Sequence, residues 1–332
     1  MHKNNCFDLM RLFSAVMVVV FHHNAFMGQH ITDPTDYFAP LESIWVQIFI
    51  SLSGFLVTQS WINTSKFIPF MWKRVKRLFP ALVFCAFIIN YVIAPFIQNN
   101  VIEYLFSMDT LKNFVWMSLL HGSHVPGLWD HFGWSQWSNP PLWTLAYEFS
   151  LYIILGVVIG IARTWKTPMI GLCVCLATLI IYPQESENIV FYGVQAAMLA
   201  KLGVCFFVGS LLNMTMPSWN NNTTKIIILF FSVLMMITFR NTPEINIIGR
   251  LAIAFISVII GVSFSAGIFK KIPDISYGIY IWSWPMQAII VSQIKLPFYL
   301  SLLLTLLIVS LIALFSSKFI EAPFLKRKRV KN

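Results

Sequence analysis

The chain has 332 residues, 58% of them hydrophobic and only 11% charged, with a mean hydropathy of +0.73. Soluble domains carry roughly 25% charged residues, so this composition excludes an ordinary soluble enzyme and points to an all-α, polytopic membrane helix bundle. The formal net charge of +10 would suit nucleic acid, but in a membrane chain cations first report loop topology, and no nucleic-acid partner is expected.

Apolar stretches long enough to cross a bilayer recur from end to end. The pattern predicts about ten spans, at roughly 8–27, 44–62, 78–97, 143–162, 168–183, 191–212, 225–239, 246–268, 275–294 and 297–317, in one transmembrane domain covering 1–332. Residues 98–142 form a long loop whose apolar piece, FVWMSLLHG, is too short to span and is expected to lie in the interface as a short helix or to re-enter. The Trp-rich remainder, SHVPGLWDHFGWSQWSNPP, reads first as interfacial anchors and second as a sugar-stacking surface. The five cysteines, at 6, 85, 173, 175 and 205, form no CxxC pair and are expected to be reduced packing residues, with no metal site.

Counting alternate loops puts Lys66, Lys73, Arg74, Lys76, Arg77, Arg163, Lys166, Lys225, Lys270, Lys271 and the basic tail 318–332 on one side. Only Lys112, Arg240 and Lys295 fall on the other. The positive-inside rule then makes both termini cytoplasmic and the 98–142 loop an outer one. The acids Asp33, Asp36, Glu42, Glu103, Asp109, Asp130, Glu185, Glu187 and Glu244 map to the outer side.

A charge inside a span costs roughly 2.5–3.5 kcal/mol on insertion scales, so each one asks for a reason. Arg11 and His22 of RLFSAVMVVVFHH are eleven residues apart, which on a helix puts them on one face but about 16 Å apart along the axis. Arg11 is either a boundary anchor or an anion ligand, and His22 either a boundary residue or a base. KRVKRLFP carries Arg74 and Arg77 three apart, a topology signal that also suits phosphates. In NPPLWTLAYEF, Glu148 falls just inside the fourth span, where it is either a satisfied structural acid or a partner for a catalytic histidine. Ser53 and Gly54 let helices approach closely. Lys201 and Arg250 read as paired within the bundle.

Six segments, in order, resemble the acyltransferase family 3 of integral membrane proteins, many of which O-acetylate bacterial surface polysaccharides. They are FDLMRLFSAVMVVVFHH, IFISLSGFLV, RVKRLFP, LWTLAYEF, ISYGIYIWSWP and FIEAPF. The resemblance implies His22 as the catalytic histidine, with Arg11 and Glu148 completing the catalytic set. It also implies Arg74 and Arg77 as donor-binding or structural arginines, with Ser53 and Gly54 beside the donor. The donor would be cytoplasmic acyl-CoA, most simply acetyl-CoA, and the acceptor a hydroxyl of a surface polysaccharide or lipid-linked glycan. The setting would be the bacterial inner membrane. Whether His22 is a general base or a transient acyl carrier stays open, as does the oligomeric state.

The sequence departs from the family at Ser283, where many members have histidine, so the late helix is given no catalytic role. With the sequence ending at Asn332, the acceptor is expected to be handled by the membrane domain alone. The competing reading is a non-enzymatic glycan flippase or small-solute transporter, with Lys201, Arg250 and Glu148 lining its path. Against it stands the lack of any repeat pairing the two halves of the chain.

Overall fold

The computed structural model describes residues 5–28, 44–129, 137–182, 190–267 and 273–325. The acids Asp33, Asp36, Glu42, Asp130, Glu185 and Glu187, the cations Lys270 and Lys271 and the tail from 326 onward lie outside the described residues.

A helix stands at each of the ten expected places: α1 (Phe7–Phe26), α2 (Ile44–Thr64), α3 (Phe67–Phe87), α6 (Trp143–Ile161), α7 (Lys166–Ile181), α8 (Ala196–Met214), α10 (Asn222–Phe239), α11 (Ile245–Ser263), α12 (Ser276–Gln293) and α13 (Phe298–Phe315). Shorter helices fill the connections: α4 (Val101–Phe106), α5 (Met108–Ser118), α9 (Met216–Trp219) and α14 (Ala322–Leu325). A two-residue hairpin pairs β1 (Val190–Phe191) with β2 (Val194–Gln195). Its turn, Tyr192–Gly193, takes positive φ at both residues, as a tight hairpin requires.

Among the described residues, eight helices are long and apolar enough to cross a membrane. α7, at 16 residues, is shorter. α12 is not among the eight because tyrosine, serine, tryptophan and glutamine interrupt its apolar run; thirteen of its eighteen residues are buried. It is an inner helix, not a lipid-facing one.

Three boundaries differ from expectation by five residues or more: the start of the third span, the start of the sixth, where the hairpin takes 190–195, and the end of the eighth, at Ser263. The third span begins at Phe67, not near 78, and continues through a π-turn (Ile88–Ile93) and a 3₁₀ turn (Ala94–Ile97). Lysine and arginine are good helix formers, so KRVKR extends the helix instead of delaying it. The loop 98–142 contains two short helices, α4 and α5, each capped by a side chain: Asn100 accepts from the Glu103 N–H and Ser107 from the Thr110 N–H.

The chain forms two compact units. One takes its described residues from Met1–Ser14, Ile31–Met71 and Tyr147–Ile272. Its centre is the seam between α2 and α8, flanked by α7 and α11. Glycines make that seam possible: a Cβ on Gly54 would lie 2.0 Å from the Phe206 carbonyl oxygen, and one on Gly209 2.1 Å from that of Ser51. Such contact between small residues is how apolar helices gain packing energy when lipid offers no hydrophobic drive. Thr58 adds a buried hydrogen bond to Ser210 of 2.7 Å across the seam. The start of α1 is tied to the end of α11 by Cys6 N–H donating to the Gly261 carbonyl at 3.0 Å. α10 leaves Ile226, Phe230, Phe231 and Met235 exposed, a lipid-facing surface.

The second unit takes Ala15–His30, Trp72–Ala146 and Pro273–Asn332. Here α12 packs on α13, whose Leu300, Leu303, Leu307, Leu311 and Leu314 face outward while Ser301, Thr305, Val309 and Ala313 are buried. That is a helical stripe of period 3.6 with lipid on one side. Gly278 lets α12 approach Ala313, where a Cβ would fall 2.8 Å from the alanine methyl. The tyrosines of ISYGIYIW lock this unit. Tyr277 donates to the Leu78 carbonyl at 2.7 Å, and Tyr280 bonds the Pro141 carbonyl and, at 2.5 Å, the Thr144 hydroxyl. Asn139 donates to the Ile281 carbonyl at 2.9 Å.

Candidate active site

In the first unit the buried acid is Glu148, 6% exposed. Pro140 and Pro141 open a 3₁₀ turn that leads into α6, and the acid falls in the second turn of that helix, facing α2. Ser53 of α2 donates to its Oε1 at 2.6 Å. Tyr152, one turn further along α6, donates to the same oxygen. Among the described residues the carboxyl group is therefore held by two hydroxyls and not by a cation, an arrangement that fixes its orientation. Ser53 was expected to matter; Tyr152 was not singled out, although the i, i+4 spacing from Glu148 is the signal that could have found it.

Gly54, the neighbour of Ser53, serves helix packing: the place of its Cβ is filled by the backbone of α8. Arg11 belongs to this unit too, with its guanidinium carbon 4.9 Å from the centre of the Phe49 ring, a cation–π seat. Arg250 is buried at 3% exposure, and Cys205 donates its thiol to the Arg250 carbonyl.

In the second unit His22 is half-buried, its ring edge-on to Trp284 with centroids 5.4 Å apart. Its Nδ1 is buried and has no hydrogen-bond partner among the described residues. A neutral imidazole has one donor and one acceptor nitrogen, so an unpartnered ring nitrogen on a half-buried residue is open to a ligand. His23 also has a ring nitrogen, Nε2, with no partner among the described residues, but it is fully buried, its Nδ1 lies 3.5 Å from Gln287 Nε2, and it packs on Phe298. Gln287 in turn donates to the Val19 carbonyl at 2.7 Å. Ser283 donates to the Tyr280 carbonyl within its own helix at 3.0 Å.

Arg74 and Arg77 lie inside α3, one turn apart. Arg77 is engaged by two carboxylates, Asp274 at 2.5 Å and Glu321 at 3.4 Å. Glu321 is almost fully buried and also accepts from Ser316 at 3.3 Å. Asp274 accepts from the Ser276 N–H at 3.1 Å and its hydroxyl at 2.5 Å. These pairs join the RVKRLFP segment to FIEAPF. The five cysteines are free thiols, four of them buried.

The structure thus brings Ser53 to Glu148 within one unit, and sets His22 beside Trp284 and Arg77 between two acids within the other. A family model described as an acyltransferase domain matches residues 4–317. The chain is similar to an "O-acetyl transferase" of Shigella phage Sf6, 32% identical over all of this chain and 99% of that one. It is similar to "Nodulation protein 10" of Rhizobium leguminosarum, 31% identical over 50% of this chain and 46% of that one. It is 27% identical to a peptidoglycan O-acetyltransferase of Listeria monocytogenes, over 85% of this chain and 51% of that one. No solved structure matches. The full-length match to the family model, carried on a multi-pass bundle, settles the choice between enzyme and transporter: the chain belongs to the acyltransferase 3 family and is a membrane acyltransferase.

Proposed function

We propose that the protein moves an acetyl group from cytoplasmic acetyl-coenzyme A to a hydroxyl of a surface polysaccharide or lipid-linked glycan, working in the bacterial inner membrane. The names of the phage and Listeria relatives support an O-acetyl product and a glycan acceptor. The single observation that carries the chemistry is the unpartnered Nδ1 of His22 on a residue that is only half-buried.

In this reading the acceptor oxygen bonds to the thioester carbonyl carbon as the C–S bond breaks. Its proton passes to the neutral His22 ring and from there to the departing thiolate, giving an O-acetyl ester and free coenzyme A. Histidine suits the task because its unperturbed pKa near 6.5 leaves the ring mostly neutral at physiological pH. Glu148 is the second catalytic group, held by Ser53 and Tyr152. Arg11 and Arg74 are assigned to the anionic donor, while Arg77 is engaged by Asp274 and Glu321 and Gly54 packs α2 on α8.

The test is a His22→Ala variant in cells that lack the native protein, with surface polysaccharide read by NMR for O-acetyl signals. General base removal should lower transfer by at least about 100-fold while the variant still inserts. Full acetylation by an inserted variant would remove His22 from the mechanism. Label retained on wild-type protein after quenching, with no acceptor present, would replace the base with an acyl-carrier role.

A further inference from the structure

In the first unit a cavity of about 320 Å³ opens at the end where α1 begins. Its lining includes the amide-bearing residues Asn5 and Gln59 and the apolar residues Phe7, Phe55, Leu56 and Met216. Phe7 and Phe55 pack with ring centroids 5.2 Å apart. We propose that this cavity seats the pantetheine arm of the acyl-CoA donor, a reading that rests on the donor assigned above and names the residues that would recognise it.

Size is the first argument. Ligand pockets run from about 300 to 1,000 Å³, so this one is near the lower bound, with room for a slender arm and not for a nucleotide. The arm's chemistry is the second. Pantetheine alternates apolar carbon, including a geminal dimethyl group, with two secondary amides. An aromatic and aliphatic cavity carrying two side-chain amides is its complement, since each such amide offers both donors and an acceptor.

Gln59 is also loosely held. It donates to Asn63 Oδ1 and accepts from Asn213 Nδ2, both at 3.4 Å, long for hydrogen bonds and easily exchanged for ligand. Behind it, Asn213 is 7% exposed and its Oδ1 is a buried acceptor with no partner among the described residues. Buried acceptors are nearly always satisfied, and an amide N–H brought to this corner would satisfy it.

The setting is the third argument. The α6–α7 turn is tied to the α2–α3 turn by Arg163 donating to the Ser65 carbonyl at 2.8 Å, and the α8–α10 turn supplies Met216. Lys66, Arg163, Lys166 and Lys225 lie in or next to these helix connections, cations suited to the phosphates of a nucleotide left outside the cavity. Inward, Arg11 lies one turn beyond Phe7 on the same face of α1, so the arm would run from the rim toward the arginine.

The experiment is calorimetric titration of the full chain in detergent with three probes: coenzyme A, pantetheine, and adenosine 3′,5′-bisphosphate, which lacks the arm. Gln59→Leu should weaken coenzyme A and pantetheine about tenfold, the effect of one lost hydrogen bond, and leave the bisphosphate unchanged. Leu56→Trp, which fills the cavity from α2, should reduce coenzyme A to the affinity of the bisphosphate. Met216→Trp fills it from α9 and gives the same test should the α2 variant fail to fold. If wild type binds coenzyme A and the filled variants bind it equally well, the arm lies elsewhere and the donor reading stands. If wild type binds no coenzyme A, the donor reading falls and this one with it.

Discussion

Deleting Arg77 tests whether the second arginine of RVKR holds the fold or the donor. Its guanidinium satisfies Asp274 and Glu321, and its side chain is 22% exposed. In Arg77→Ala, Asp274 keeps both of its bonds from Ser276, but Glu321, 1% exposed, keeps only the Ser316 hydroxyl. Removing one partner of a buried pair costs about 3–5 kcal/mol because the other charge is stranded. The partial exposure of Arg77 favours the lower figure, about 3 kcal/mol. At roughly 2 °C per kcal/mol for a chain this long, unfolding should move down by about 6 °C. Thermal unfolding in detergent, followed by tryptophan fluorescence and by size exclusion, measures this. Arg77→Ala/Glu321→Gln removes the stranded charge and should recover most of the loss, while coenzyme A affinity per folded molecule stays that of wild type. An Arg77→Ala protein that unfolds at the native temperature yet no longer binds coenzyme A would refute the structural assignment and return Arg77 to the donor site.

Gly54→Ala should be among the most damaging single-methyl changes, since the new carbon meets the backbone of α8 at 2.0 Å and no side chain can yield. About 3 kcal/mol or more is expected, read as loss of the monodisperse fraction in detergent. Gly160→Ala, whose Cβ would meet only Trp61 at an ordinary 3.6 Å, serves as the neutral control. Tyr152→Phe removes one of the two donors on Glu148 and should lower the rate of label transfer by about tenfold, the effect of one lost hydrogen bond of about 1.5 kcal/mol. The KM for donor should not move, and an unchanged rate would mean that Ser53 alone orients the acid. Tyr280→Phe leaves the Pro141 carbonyl and Thr144 hydroxyl without their shared partner, and should lower stability by about 1–3 kcal/mol, seen as a drop of several degrees in the same melting assay.

The ten helices were legible because a lipid-facing helix writes its length directly into an apolar run, as α10 and α13 do. The start of α3 was not, because hydropathy counts each lysine and arginine as a penalty, whereas near a membrane boundary those side chains extend to the interface on long apolar stems and the helix continues beneath them. The individual polar residues of the site were legible for the same reason: a charge in an apolar run stands out. Their partners were not, with one exception. Tyr152 is four residues from Glu148, within reach of a helical-spacing argument. Asp274 and Glu321 are separated from Arg77 by 197 and 244 residues, and Gly209 is nowhere near Gly54 in sequence, so only the fold joins them.

These pairings change what the family-like segments mean. RVKRLFP and FIEAPF meet through Arg77 and Glu321. ISYGIYIWSWP and the residues before α6 meet through Tyr280, Pro141, Thr144 and Asn139. SLSGF meets α8 through Gly54 and α6 through Ser53. Most of the recognisable residues thus hold helices to one another at positions where lipid supplies no hydrophobic drive and polar or small side chains must do it instead. The residues proposed for chemistry are a short set: His22, Glu148, Arg11 and Arg74. Loss of activity on mutating any other segment residue is then evidence about the mechanism only when the variant's folded fraction has been measured alongside it.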